Sequence, residues 1–164
     1  MNSLFPPSLI NRDLQVQLPF PYFLRPLSIN DYHRGYFSLL SQLSSSVVMS
    51  YDNFVDIVDS MKASRSYYVV IVEDLESNKI VGTATLMIEQ KFIHNGGKVG
   101  HIEDVVVDKE CRGLNLGKHL ISQLKYIGDV HGVYKYILNC KQENVEFYEK
   151  CEFKPHQIQM QWRR

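Results

Sequence analysis

From Ser66 onward the period of the chain changes to short β-branched runs separated by turn residues. "YYVVIVED" and "IVGTATLMIEQ" flank "LESNK" and predict an antiparallel hairpin, and "HNGGK" is a second turn leading into "VGHIEDVVVD". Ahead of this meander the apolar spacing is helical. Tyr36, Leu39, Leu40 and Leu43 share a face behind the S-x-x-D start at Ser28–Asp31. "SSSVVMSYD" breaks that helix, Asp52 is placed to cap a second one, and Phe54, Ile57, Val58 and Met61 form its stripe. "YFLRPL" predicts a first core strand. Residues 1–21 hold four of the six prolines and predict an extended arm, with an edge strand at "LQVQL" and no domain of its own.

After the meander, Leu116, Leu120, Ile121, Leu124 and Ile127 line a helix expected over Lys118–Ile127 and stopped by Gly128. A strand "VYKYILNC" and a short helix "NVEFYEKC" follow. This order predicts an α/β (α+β) fold with a mixed, mostly antiparallel sheet flanked by helices, as a single domain over residues 22–164.

Composition narrows the chemistry. A chain of 164 residues suits one domain. Lys plus Arg and Asp plus Glu number 18 each, so no net field draws in nucleic acid or anionic lipid, and a bound anion must be held by local groups. The longest apolar run, Tyr67–Val72, is far short of the ~20 residues of a membrane span, and no signal peptide is visible. Cys111, Cys140 and Cys151 are odd in number and form no C-x-x-C pair, which argues against a disulfide framework or zinc knuckle and predicts a reducing, cytoplasmic setting.

The candidate chemistry starts at residues 105–120, "VVVDKECRGLNLGKHL". Gly113 to Gly117 is one residue too short for a Walker loop, His119 follows the lysine, and no G-x-G-x-x-G is present. What remains is a strand-to-helix loop, Arg112 to Lys118, whose first-turn N–H groups lack intrahelical partners and sit at the positive end of the macrodipole. Small residues let a bulky anion approach that backbone, with Arg112 and Lys118 adding charge. A tight connection with glycines for geometry alone accounts for the same residues. A covalent route through Cys140 would need a neighbouring base, and no spacing places His94, His101 or His131 there.

"RGLNLGKHL" behind "EDVVVD" resembles the acyl-CoA pyrophosphate loop of the GCN5-related N-acetyltransferases, Q/R-x-x-G-x-G/A. Asn115 stands where the middle glycine is usual, and Asn tolerates left-handed backbone angles. "NVEFYEKCEF" resembles a second family segment, N-x-x-x-F-Y-E-K-x-G-F, with Glu152 in the place of its glycine. Together with "EQKFIHNGGKVGHIEDVVVD", these motifs are similar to the glucosamine 6-phosphate N-acetyltransferase family across residues 22–164.

The resemblance implies a GNAT fold and a cytoplasmic homodimer with its substrate site near the subunit interface. It also implies direct transfer in a ternary complex, from acetyl-CoA as cosubstrate and without metal, to D-glucosamine 6-phosphate, on the route to UDP-N-acetylglucosamine. Cofactor contacts are implied for Val105, Val106 and Val107, for Arg112, Gly113, Leu114, Asn115, Leu116, Gly117 and Lys118, and for Asn144 and Tyr148. Substrate contacts are implied for Ser44, Lys91, Phe92, Ile93 and His94, for Glu103 and Asp104, and for Asn139 and Arg163. Asn139 replaces an aspartate usual in the family; it keeps the hydrogen-bonding shape without the charge.

Tyr148 is implied to face the departing sulfur, and Glu103 or Asp104 to accept the amine proton. These two carboxylates fall mid-strand, where neighbours face opposite ways unless the strand bulges. Such a bulge is implied by the resemblance and would leave a main-chain N–H for the thioester oxygen. A catalytically weak acyl-CoA-binding protein of the same fold, or an acetyltransferase for another small amine, remains as an alternative.

Overall fold

The computed structural model of the chain describes residues 2–44 and 49–164, so part of the predicted break after Ser44 lies outside the described residues. Five strands form one sheet: β1 (Tyr22–Pro26), β2 (Tyr67–Asp74), β3 (Lys79–Gln90), β4 (Lys98–Val107) and β5 (Val133–Leu138), ordered as in the chain. The first four pair antiparallel and β5 joins β4 in parallel, the mixed sheet that the pattern predicted. β2 is buried continuously from Tyr68 to Glu73, as expected of a strand covered on both faces.

Helices supply both covers. They are α1 (Arg12–Gln17), α2 (Tyr36–Leu40), α3 (Tyr51–Ser64), the single turn α4 (Ile93–Gly96), α5 (Leu116–Val130) and α6 (Val145–Glu149). A Cβ on Gly82 would meet Leu120 of α5, whereas the next residue, Thr83, faces Tyr36 of α2. Successive strand residues point opposite ways, so α5 and α2 cover opposite faces. Among the described residues no helix is long and apolar enough to cross a membrane.

Several elements differ from the pattern-based expectation. The arm is not an edge strand. Leu14 of α1 and Leu18, just past its end, turn inward, and the Asn11 side chain accepts the N–H groups of Asp13 and Leu14 at its start. Gln123 of α5, fully buried, then pins the arm by accepting from Asn11 N–H and donating to the Leu9 carbonyl, both at 2.9 Å. Ser50, not Asp52, caps α3, and Ile57 and Leu43 stay largely exposed while Phe54, Val58 and Leu39 enter the core. Helix α5 starts at Leu116 and runs through Gly128 to Val130. Gly128 does not stop the helix; a Cβ there would overlap the Tyr136 hydroxyl, which bonds to the Lys125 carbonyl at 2.7 Å.

A buried ion network ties β1, the 3₁₀ turn Ile29–His33 and β2 together. Asp31, fully buried, accepts two bonds from Arg25 at 2.7 and 2.8 Å and one from Ser28 N–H at 2.7 Å. Arg25 also binds Glu73 at 2.6 Å, and Arg34 pairs with the other Glu73 oxygen. Removing one partner of such a set strands a charge in low dielectric. Asp31→Ala is therefore expected to lower unfolding free energy by about 3–5 kcal/mol in urea titration. Arg34→Ala, at the partly exposed end, should cost under ~1 kcal/mol.

Candidate active site

The site begins where the sheet parts. β4 pairs with β5 only as far as Ile102–Leu138, yet runs on to Val107 and stays paired with β3 to Gly82–Val107. One edge of β4 is thus open over Glu103–Val107, with main-chain donors and acceptors free of a neighbouring strand. In the same stretch the β3–β4 register slips between Thr83 and Thr85, so two residues of β4 oppose one of β3. Asp104 sits at this bulge with φ +51°. Glu103 and Asp104 both emerge at the surface as a result, instead of alternating between faces.

Electrostatics couples the bulge to its surroundings. Burial raises the Glu103 carboxyl above its ordinary value, the Asp104 charge raises it further, and His101 partly opposes both. Tyr36, buried beneath the bulge, is pushed up to about 12 by desolvation, with Asp104 adding to the shift.

Behind β4, Asp108 caps the 3₁₀ turn Lys109–Cys111, and the chain enters the loop at Arg112. Gly113 and Asn115 take left-handed angles, φ +84° and +59°, so asparagine adopts the conformation expected of it. Alternating handedness curls successive N–H groups toward one concavity. His119 N–H, bonded to the Asn115 carbonyl at 3.1 Å, is the first satisfied amide of α5; among the described residues those of Leu116, Gly117 and Lys118 have no acceptor. Arg112 and Lys118 are exposed beside them. This is a ready anion cradle at the start of a fifteen-residue helix.

Helix α6 closes the third side. A Cβ on Gly117 would stand 3.1 Å from Phe147, so the missing side chain lets α6 pack on the loop. Tyr148 follows, half-buried, with Phe147 at 4.9 Å and Phe153 at 6.1 Å between ring centres. Burial pushes its phenol up to about 12, helped by Cys140, Cys151 and Glu103. Asn144 is exposed at the head of α6. Cys140 is an exposed thiol to which no histidine is bonded among the described residues.

The loop, the bulge, Tyr148 and Asn144 therefore surround the gap between β4 and β5, with Asn139 exposed at the end of β5. The remaining expected substrate residues lie elsewhere in the chain. Phe92 and Ile93 are exposed on α4, whose His94 and Asn95 are left-handed. Lys91 is held by Glu89 at 2.5 Å, and Glu89 also binds His101 at 2.8 Å. This turn lies beyond the Lys98 end of β4, about 17 Å from Glu103 at ~3.4 Å per residue. Ser44 is exposed after α2, and Arg163 lies in the tail 154–164, which joins no strand of the described residues. Sequence reading missed Glu89, which no local pattern marks, and Tyr36, which reads as an ordinary core position.

Glu152 carries the left-handed angle that the family's glycine would take freely, φ +70°, and its carboxylate reaches Lys125 at 2.8 Å. Glu152→Gly removes the strain and only a surface ion pair. It is expected to raise stability by up to about 1 kcal/mol, read as a melting temperature a few degrees higher.

The Acetyltransferase (GNAT) family profile matches residues 29–153. Glucosamine 6-phosphate N-acetyltransferase 1 of Dictyostelium discoideum is 44% identical over 137 residues, spanning 83% of this chain and 87% of that protein. The Candida albicans glucosamine 6-phosphate N-acetyltransferase is 37% identical over 88% of this chain and 97% of its own length. The crystal structure of the Arabidopsis thaliana glucosamine-6-phosphate N-acetyltransferase superposes with a TM-score of 0.84 at 38% identity, covering 87% of this chain and 97% of that one. Sharing that sheet and more than a third of the aligned residues, the chain belongs to the GNAT acetyltransferases, within the glucosamine 6-phosphate N-acetyltransferase family.

Proposed function

We propose that this enzyme transfers the acetyl group of acetyl-CoA to the 2-amine of D-glucosamine 6-phosphate, by direct attack in a ternary complex. The observation that carries the reading is the open edge of β4 at Glu103–Val107, flanked by the unsatisfied amides of the α5 loop and by Tyr148. The amides of Gly113 to Lys118, with Arg112 and Lys118, hold the diphosphate; Asn144 contacts the same cosubstrate from the head of α6. The main chain of Val105–Val107 offers hydrogen bonds to the extended arm that carries the thioester.

Glu103 takes the amine proton, directly or through one water, as nitrogen attacks the thioester carbonyl; its raised pKa brings it nearer the range of an effective base. A main-chain N–H at the bulge steadies the oxyanion, a contribution of ~3 kcal/mol for one preorganised donor. The C–N bond forms, the C–S bond breaks, and the thiolate leaves facing Tyr148. A phenol raised to about 12 is a much weaker acid than a thiol of ~8.5, so Tyr148 donates a hydrogen bond to the sulfur and keeps its proton.

A second copy completes the phosphate contacts. Lys91 folds back onto Glu89, which also holds His101, two residues from Glu103, whereas Phe92, Ile93 and His94 sit on the turn beyond the Lys98 end of β4. A homodimer supplies the residues of that turn from a neighbour. Two features support it: the tail alternates polar residues with exposed Ile158, Met160 and Trp162, and pairs with no strand of the described residues. Arg163 ends that tail, where a guanidinium can grip phosphate through two parallel bonds. Its three cysteines are free thiols, which supports a reducing, cytoplasmic location.

The deciding assay is release of free CoA from acetyl-CoA, with and without glucosamine 6-phosphate. Sugar-dependent release supports the reading, whereas equal release in both conditions rejects the acceptor; tight CoA binding without turnover would favour an acyl-CoA-binding role. Tyr148→Phe should lower kcat by about 10–100-fold with CoA affinity nearly unchanged. Glu103 acts as a base only when ionised, so kcat/KM falls as pH drops through its raised pKa. Asp104→Asn tolerates the left-handed angle and removes the charge that raises Glu103, so the acid limb should move to lower pH. An unmoved limb would exclude Glu103 as the base.

A further inference from the structure

Asp104 holds a backbone angle that its place in the middle of β4 does not call for. It takes φ +51° inside a strand, and Ala84 of β3 alone opposes both Asp104 and Val105. A left-handed angle on a non-glycine strand residue carries strain, and it persists only where the surrounding structure over-determines it. Whatever packs beneath this bulge must therefore hold it.

Tyr36 is placed to do so. It is the first residue of α2, is buried, and lies on a helix that packs on both β3 and β4. Its hydroxyl meets that of Thr83, one of the two β3 residues between which the register slips. Thr83 is buried, and its own hydroxyl donates to the Val70 carbonyl at 3.2 Å, so its oxygen is left to accept from Tyr36 while β2 holds it in place. Burial, and then the Asp104 charge, raise the phenol's pKa and keep it protonated, as a donor must be. Tyr36 is fixed from outside as well. Phe37 and Phe54 stand 5.7 and 6.0 Å from it between ring centres, and just ahead of it Ile80 N–H of β3 bonds to the Arg34 carbonyl at 3.0 Å.

We propose that Tyr36 is a positioning residue for the transfer: through Thr83 its hydroxyl clamps β3 at the slip and holds the extra residue of β4 left-handed, which keeps the main-chain N–H of the bulge aimed at the reacting carbonyl. The inference rests on the reading above that this N–H steadies the oxyanion. Buried in the core, Tyr36 acts through the backbone at Asp104. The oxyanion is absent from the bound ground state, so losing the aim slows the chemical step and leaves both KM values nearly unchanged.

The test uses the full chain and two readouts. Tyr36→Phe keeps the ring and removes the hydroxyl. The Cα and Cβ chemical shifts of residue 104, which report its backbone angle, should leave their wild-type values, and kcat should fall about 5–20-fold with both KM values within about 2-fold. Thr83→Val removes the hydroxyl that Tyr36 meets and should do the same, whereas Thr83→Ser should keep wild-type shifts and rate. Glycine takes a left-handed angle without strain. In an Asp104→Gly background Tyr36→Phe should therefore change kcat by less than about 2-fold, and in Asp104→Asn it should keep its full effect. A hydroxyl with a merely structural role would lower stability alike in both backgrounds and show no such coupling. Wild-type residue-104 shifts in both Tyr36→Phe and Thr83→Val overturn the proposal, as does an equal loss of kcat in the Asp104→Gly and Asp104→Asn backgrounds. Moved shifts with kcat unchanged support the clamp and overturn instead the reading of the bulge N–H as oxyanion donor.

Discussion

The structure depends on a sheet that is held shut at one end and forced open at the other. Tyr136 of β5 makes the closed end, lying where Gly100 of β4 and Gly128 of α5 leave room, with its hydroxyl donating to Lys125 O and close to Asp129 Oδ1, both at 2.7 Å. Two residues beyond it, pairing with β4 ceases at Leu138, and β4 gains its extra residue at Asp104 soon after Ile102. An edge that would be an aggregation hazard on a free strand becomes a bank of aligned main-chain partners inside a cleft.

Charge in this protein is local in its effects because its total is zero. The anion cradle consists of oriented amides with two exposed cations, and the Glu103 carboxyl is raised by burial and by Asp104 at the bulge, with His101 opposing. Tyr148 is raised in the same way by burial against Phe147 and Phe153. A bulge, a glycine-rich loop and a three-ring contact thus tune three groups without any long-range field. Each depends on the packing of α5 and α6 against the parted strands.

Legibility varied with how local the cause was. The stripe from Leu116 to Ile127 announces α5, and the left-handed tendency of Asn115 announces the shape of its loop, because both follow from neighbours in the chain. "LQVQL" misleads because five residues satisfy two periods at once, and a polar hook 112 positions away, Gln123 to Asn11, holds the segment that opens the helix. Gly128 reads as a stop signal until Tyr136 is seen to need its space.

The residues alone determined the order of the five strands and of the helices α2, α3, α5 and α6, and the likeness to an acetyltransferase family. These rest on periodicity, backbone preference and short motifs, all carried within a few residues. Only the folded chain decided that β4 and β5 separate after Ile102, that Glu103 and Asp104 surface together, and that burial raises the Tyr148 phenol. Those outcomes depend on register, burial and the approach of groups tens of residues apart, and no local pattern encodes them.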